Sequence, residues 1–178
     1  RLLSSAASDV YKRQDKYDGH QYLINRLSKN GQRYLYYTVK EALKKGLPVE
    51  LSLIPFVESQ FDPYAQSSTG ASGIWQFIPS TARENGLKKN WWYDGRRDIL
   101  ASTEAAYTFL TSLYEKYDDW LIAIAAYNAG PSRIRREIEK NKSNGLPTDF
   151  WSLNLPRETK AYVPKILAIV EVIRKPNK

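Results

Sequence analysis

Glu58 directly follows an apolar run, and this placement could tune its carboxyl group for acid chemistry. The run, residues 53–57, reads LIPFV. If it packs into the core, the loss of hydration disfavours the charged carboxylate and raises its pKa. A carboxylic acid that stays protonated near neutral pH can donate a proton to a leaving group. A surface glutamate at a helix end has the same local sequence, so position alone does not decide between the two.

A loop of small residues follows this glutamate. Residues 67–73 read SSTGASG. A backbone with so little side-chain bulk can approach a large ligand and present its N–H and C=O groups. The loop ends in IWQF, residues 74–77, a segment that favours an ordered, buried position over a flexible linker. The amide of Gln76 then needs buried partners, or offers hydrogen bonds to a ligand.

A third cluster, AAYNAG, occupies residues 125–130. It places the hydroxyl group of Tyr127 and the amide of Asn128 at the predicted C-terminus of a helix, where Gly130 lets the chain leave. A helix-capping motif without a further role is the alternative interpretation.

The elements that must position these three clusters are predicted to be helices. Apolar residues recur at intervals of three and four, and no segment has sustained period-two alternation. The sequence therefore predicts an all-α fold. The expected helical segments are two pieces within 21–45 interrupted at Gly31, 49–58 with a possible kink at Pro55, 79–86, 98–117 capped by Asp98, a buried helix at 120–127, one that starts at Pro131, and one from Pro156 to about Arg174.

Composition narrows the classes of function. The 178 residues are 42% hydrophobic and 26% charged, with no cysteine and a single histidine. These values fit one soluble globular domain, without a disulfide framework and with little material for a transition-metal site, so neither a metal nor a cofactor is predicted. The net charge of +8 indicates either a solvated basic surface or an anionic partner: a nucleic acid, an anionic lipid or an acidic polymer such as cell wall.

Taken together, the three clusters resemble the motifs of a known family. ES at 58–59, GIWQ at 73–76 and AYN at 126–128 occur in the order and spacing of lytic transglycosylases, which have a goose-lysozyme-like α fold. The stretches NWWYDGRRDILASTEAA, 90–106, and WSLNLPRETKAYVPKILA, 151–168, are similar to the D-type branch of the membrane-bound enzymes. The resemblance covers about residues 20–174.

The resemblance implies a role for each matching position. Glu58 falls on the catalytic acid, and Ser67 on a serine that forms a hydrogen bond near it. Gln76 and Asn128 fall on groups that bind the N-acetyl and hydroxyl functions of a sugar, and Tyr162 on a tyrosine beside the acid. The full set of expected site residues is Glu58 as the catalytic group and Ser67, Gln76, Tyr127, Asn128 and Tyr162 as substrate-binding groups. Trp75 replaces a methionine that is common elsewhere in the superfamily, and an aromatic residue there is typical of the D-type branch.

The implied reaction cleaves the bond between N-acetylmuramic acid and N-acetylglucosamine without water and leaves a 1,6-anhydro end. Ordinary glycosidases use two carboxylates, and the sequence offers no convincing second one. Asp62 lies in a turn-like FDPYA segment, and Glu50 is better explained by a helix dipole. The alternatives are a goose-type hydrolase on the same fold and a non-catalytic wall-binding module. A nucleic-acid partner lacks a supporting motif.

The expected domain organisation is a leader over residues 1–17 and a single catalytic domain over 18–178. Residues 1–14 are interpreted as non-native. The expected partners are peptidoglycan glycan strands, and the chain is expected to be a monomer in the periplasm or cell envelope. Membrane association is expected only through a lipidated N-terminus, which D-type relatives carry and this chain does not contain.

Overall fold

The computed structural model describes residue 25 and residues 31–175. The expected leader and most of the expected helical piece before Gly31 lie outside the described residues. Within the described residues, helices are joined by loops, and pairing between extended segments is limited to isolated bridges. The prediction of an all-α fold is therefore confirmed.

Residues 31–175 contain seven α-helices and one 3₁₀ helix. In chain order they are α1 (Gln32–Lys44), the 3₁₀ helix (Val49–Leu53), α2 (Ile54–Ser59), α3 (Pro79–Glu84), α4 (Ile99–Tyr117), α5 (Trp120–Ala129), α6 (Pro131–Ser143) and α7 (Arg157–Arg174).

Helix α5 is the centre of the core. Its sequence, WLIAIAAYNA, is apolar on nearly every side, and residues 121–126 are all buried. The Asp119 carboxylate caps its N-terminus by accepting hydrogen bonds from the backbone N–H groups of Leu121 and Ile122 at 2.7 and 3.2 Å. Helices α4, α6 and α7 pack around it. The expected buried helix is thus found, and it ends at Gly130 as predicted.

The segment before Glu58 contains two helices instead of one kinked helix. The chain turns as a 3₁₀ helix until Leu53 and continues as α2. Pro55 lies in the first turn of α2, where its missing N–H group would have no partner within the helix, so the helix accommodates it without a kink. Residues 51–56 are all buried, so the apolar run does pack into the core and leaves Glu58 at its edge.

The loop after α2 folds back on itself in a fixed geometry. The Gly73 N–H donates to the Ala65 carbonyl at 3.0 Å, and the Ser72 N–H donates to the Phe77 carbonyl at 3.1 Å. Gly73 has a φ of +82°, and a Cβ atom there would lie 1.8 Å from the carbonyl oxygen of Arg96. Only glycine allows this approach, so Gly73 fixes how the loop docks against the segment before α4.

Replacement of Gly73 tests this docking, with Gly70 as a matched control. Gly70 has a similar φ of +81°, but a Cβ atom there would meet nothing within 4 Å. Gly70→Ala should lower the free energy of unfolding by about 1–2 kcal/mol through backbone strain alone. Gly73→Ala adds an overlap with a buried backbone, so a loss of about 4 kcal/mol or more is expected. Urea denaturation measures both, and equal losses would contradict the close approach.

Candidate active site

A cleft of about 350 Å³ brings the three sequence clusters together. The second half of α2, the small-residue loop and the C-terminus of α5 form its walls. Its lining residues are Glu58, Ser67, Thr69, Ala71, Gln76, Phe77, Ile78, Thr81, Phe109, Tyr127, Asn128, Ala129, Gly130, Pro131 and Glu158. Five of the six expected site residues line this cleft, and the sixth, Tyr162, reaches it through a hydrogen bond.

The Glu58 carboxyl group is held at the edge of the core by a residue from the last helix. The hydroxyl group of Tyr162 donates a hydrogen bond to Glu58 Oε1. The pKa of Glu58 is raised from 4.5 to about 7; burial is the main cause, and the carboxylate of Glu158 acts in the same direction. The Tyr162 hydrogen bond and the charge of Lys165 act in the opposite direction. Desolvation is the largest effect, so part of the acid stays protonated near neutral pH.

Helix α2 is fastened to the loop beside it. Ser59, next to the acid, shares its single hydroxyl proton between the carbonyls of Pro55 and Ile74, at 3.1 and 3.0 Å. Trp75 is fully buried, and its indole N–H donates to the Thr103 hydroxyl group on α4 at 2.9 Å. These bonds hold the loop between α2 and α4, so the aromatic residue of the GIWQ segment anchors the loop in the core.

The amide of Gln76 has a defined orientation. Its Nε2 donates to the carbonyls of Ala65 and Gly73 at 3.2 and 2.8 Å. Both N–H bonds are therefore used within the loop, and the side-chain oxygen is left for the cleft. Gln76 can thus accept a hydrogen bond from a ligand N–H or O–H group.

Asn128 is oriented the opposite way. The hydroxyl group of Thr159, a buried residue in the first turns of α7, donates to Asn128 Oδ1 at 2.9 Å. This bond occupies the amide oxygen and directs the NH₂ group away from Thr159. Asn128 can therefore donate to a ligand oxygen, so the two amides of the cleft offer complementary hydrogen-bonding groups.

Tyr127 and Ser67 form the walls of the cleft. The Tyr127 hydroxyl group donates to the Trp75 carbonyl at 2.7 Å, and its ring packs against Phe77 and Phe109 with centroids 6.1 and 5.7 Å away. The Ser67 hydroxyl group accepts from the Ala71 N–H at 3.0 Å within its own loop. Ser67 therefore shares a cleft with Glu58 while its hydroxyl group is bonded locally.

Arg96 fixes the far side of the same loop. This residue is 5% exposed, and its guanidinium group donates to the carbonyls of Gly70 and Phe77 at 2.7 and 3.3 Å. Asp94 accepts from the same group at 2.6 Å, and this partner lowers the pKa of the Asp94 carboxyl. A charged fork that spans both ends of the loop keeps the Ser67 and Gln76 backbones in place.

Sequence reasoning missed one carboxylate of the cleft. Asp62 accepts a hydrogen bond from the Tyr64 N–H in the expected turn, and Glu50 pairs with Arg174. Glu158, which was not considered, lines the cleft in an exposed position. The missed signal was its position four residues before Tyr162, because residues four apart share one face of a helix.

Two further properties concern the described residues as a whole. Residue 25 and residues 31–175 contain no group of three or more His, Cys, Asp or Glu side chains that could hold a metal ion. None of the helices within the same residues is both long and apolar enough to cross a bilayer.

Comparison with known protein families identifies the domain. The family model described as "Transglycosylase SLT domain" matches residues 36–148. This range contains the small-residue loop, helices α2 to α6 and every expected site residue except Tyr162. The chain belongs to the transglycosylase SLT domain family. The resemblance predicted from the sequence motifs of this SLT domain is therefore confirmed.

Relatives and a solved structure agree with this assignment. The chain is 44% identical to "Membrane-bound lytic murein transglycosylase D" of Escherichia coli (strain K12) over 93% of its length and 37% of that protein. It is 40% identical to "Putative tributyltin chloride resistance protein" of Alteromonas sp. (strain M-1), over 84% of this chain and 72% of that one. An inactive Glu-to-Gln mutant of lytic transglycosylase Slt from Pseudomonas aeruginosa superposes with a TM-score of 0.64 and 26% identity, over 94% of this chain and 28% of that one. The chain thus spans a little over a third of the length of the first relative.

The raised pKa of Glu58 predicts how the stability of this SLT domain depends on pH. Between the unfolded value of 4.5 and the folded value of about 7, the folded state binds a proton that the unfolded state releases. The stability from the neutral acid is present below pH 4.5 and is lost as the pH rises through about 7. Glu58→Gln removes this loss, so its stability relative to the parent should increase by about 3 kcal/mol between pH 4.5 and 8.

Urea denaturation at several pH values measures this difference. The matched control is Glu84→Gln, because Glu84 is an exposed glutamate on α3. Its stability profile should run parallel to that of the parent. Parallel profiles for Glu58→Gln as well would mean that Glu58 is ionised in the folded state throughout this range.

Proposed function

We propose that the domain is a peptidoglycan lytic transglycosylase in which Glu58 acts first as the acid and then as the base. The observation that carries the proposal is the state of the Glu58 carboxyl group. It lines the cleft, accepts a hydrogen bond from Tyr162 and has a pKa of about 7. A group with this pKa can both give and take a proton near neutral pH. Membership in the SLT family and the lytic transglycosylase names of the relatives support the same activity.

In the first step, protonated Glu58 donates its proton to the oxygen between N-acetylmuramic acid and N-acetylglucosamine. The bond from C1 to this oxygen breaks, the N-acetylglucosamine part leaves as an alcohol, and positive charge develops at C1. Tyr162 remains bonded to the carboxylate that forms. Its hydroxyl group thereby stabilises the negative charge that the proton transfer leaves on Glu58.

In the second step, the Glu58 carboxylate accepts the proton of the C6 hydroxyl group of the same sugar. The oxygen of this hydroxyl group bonds to C1 and closes the 1,6-anhydro ring. The acid is restored, and no water enters the product. A nucleophile within the substrate is already positioned, which lowers the entropic cost of the step.

The two oriented amides suit an acetamido sugar. The side-chain oxygen of Gln76 can accept from the N–H of an N-acetyl group, and the NH₂ group of Asn128 can donate to a carbonyl or hydroxyl oxygen. Because each amide is held by partly buried hydrogen bonds within the protein, it is oriented for the ligand before binding. Tyr127 and Ser67 complete the proposed substrate-binding set as walls of the cleft.

The charge of the chain fits the same polymer. Peptidoglycan carries lactyl and peptide carboxylates, and a net charge of +8 favours encounter with such a polyanion. The proposal therefore includes glycan strands as the partner and the periplasm or cell envelope as the site of action. It also treats residues 18–178 as one catalytic domain that acts as a monomer.

Hydrolysis is the second candidate, because Glu158 lines the cleft with Glu58. A hydrolase would need this carboxylate to hold and activate a water molecule. Glu158 is exposed in the first turn of α7, one helical turn from Tyr162. A carboxylate at this exposed rim is solvated by bulk water and is not held in place to orient one water molecule. Its position therefore favours the reaction that consumes no water.

Product analysis of matched glutamine variants distinguishes the candidates. The parent should release muropeptides with 1,6-anhydro ends from purified sacculi, as detected by mass spectrometry. Glu58→Gln should lower the rate by roughly 10²–10⁴-fold, the usual contribution of a general acid. Glu158→Gln, the matched control, should retain the anhydro product and change the rate less than about tenfold.

Products with reducing ends, lost in both variants, would instead establish a two-carboxylate hydrolase. A Glu58→Gln variant as active as the parent would overturn both candidates.

A further inference from the structure

A second depression lies behind the loop that borders the cleft. Its volume is about 640 Å³, and its rim carries Trp91 and Trp92, which are 88% and 90% exposed. These are the most exposed large hydrophobic side chains among the described residues, and Tyr64, 75% exposed, lies on the same rim. Water-exposed indoles forgo about 1.5–3 kcal/mol of burial each, so the pair requires an explanation beyond folding.

The turn that carries the tryptophans is ordered by hydrogen bonds. The side-chain oxygen of Asn90 accepts from the backbone N–H groups of Trp92 and Tyr93 at 2.9 and 2.8 Å. The Asn90 N–H donates to the Tyr93 carbonyl at 2.8 Å, and the Gly95 N–H donates to the Lys88 carbonyl at 2.8 Å. The fold thus holds both indoles outward on a fixed backbone, where little ordering cost remains for a ligand.

The charges around this depression favour an anionic ligand. Both of its acidic groups have close partners, Asp94 in Arg96 and Asp98 in the N-terminus of α4. Arg97 is exposed, and its Nε donates to the Ser72 hydroxyl group at 3.2 Å; its two NH₂ groups have no hydrogen bond to any of the described residues. Lys89 adds a second exposed cation, 3.8 Å from Asp94. Carboxylates are suitable partners for this pair of cations.

The loop places the depression and the cleft back to back. Gln66 lines the depression, and Ser67 lines the cleft. Neighbouring residues in extended backbone point to opposite sides, so one loop forms a wall of both sites. A polymer bound in the cleft is therefore close to the depression.

We propose that the depression binds a segment of peptidoglycan glycan strand other than the one being cleaved. Sugar rings lie against the indoles of Trp91 and Trp92, and stem carboxylates pair with Arg97 and Lys89. The identity of the polymer rests on the proposed function. The polar lining favours a glycan over a lipid bilayer, because an interfacial anchor separates an apolar face from its charged face, whereas polar and charged side chains surround the aromatics of this depression.

Binding to insoluble sacculi tests the proposal in the Glu58→Gln background, which prevents turnover. Trp91→Ala with Trp92→Ala should raise the Kd for sacculi about tenfold or more. The matched control is Tyr36→Ala, since Tyr36 is an aromatic residue with 70% exposure that does not line the depression. This control should bind as the Glu58→Gln parent does. Circular dichroism verifies that each variant is folded.

A second measurement separates this proposal from the proposed function. With Glu58 intact, the double tryptophan variant should cleave a short soluble glycan at the parental kcat/KM and sacculi more slowly. Unchanged binding to sacculi would overturn the depression as a glycan site, whether or not the parent forms anhydro products. If the double tryptophan variant lost binding to phosphatidylglycerol vesicles but kept sacculus binding, the proposal would be overturned in favour of a membrane site. If its sedimentation changed while sacculus binding stayed intact, the depression would instead be a contact with a second copy of the chain. Loss of sacculus binding would support the site even if the parent proved to be a hydrolase.

Discussion

The proposed chemistry, and the arrangement of the cleft around it, depend on the burial of one carboxyl group beside an apolar segment. Desolvation of Glu58 outweighs the hydrogen bond from Tyr162, and the resulting pKa is about 7. If the hydrogen bond were the larger effect, the carboxylate would remain charged and could not act as an acid. The apolar run before the glutamate therefore raises the pKa of Glu58, and the tyrosine 104 residues later lowers it. The balance of the two effects allows the acid both to release and to accept a proton near neutral pH.

The rest of the site is prepared by hydrogen bonds that no ligand needs to form. Gln76 uses its NH₂ group on two backbone carbonyls, whereas Asn128 has its oxygen occupied by Thr159. The two amides consequently present opposite ends to the cleft. Arg96 and the close approach at Gly73 hold the loop that carries the first of these amides. Because folding already orients these groups, they need not reorient when the substrate reacts.

Local sequence was sufficient to predict most helices, because their ends are determined by nearby residues. The Asp98 carboxylate caps α4 by accepting from the Ala101 N–H, and Gly130 ends α5 with a φ of +89°. The resemblance to the family added Tyr162, which no local pattern connects to the acid. Neither source predicted the role of Thr159 or the position of Glu158 in the cleft, because both depend on how α7 packs against the other helices. The change from 3₁₀ to α geometry before Glu58 was also missed, since it reflects packing of the apolar run.

The most direct test of the account is the ionisation of Glu58 itself. A ¹³C NMR titration of the glutamate carboxyl carbons, with Glu58 assigned by comparison to Glu58→Gln, measures it without any substrate. The account predicts a midpoint near pH 7 for this one carbon, as burial implies, and a higher midpoint in Tyr162→Phe, which removes the hydrogen bond to the carboxylate. A midpoint near the ordinary value of 4.5 would contradict it, because Glu58 would then be a charged carboxylate at neutral pH and could not serve as the acid.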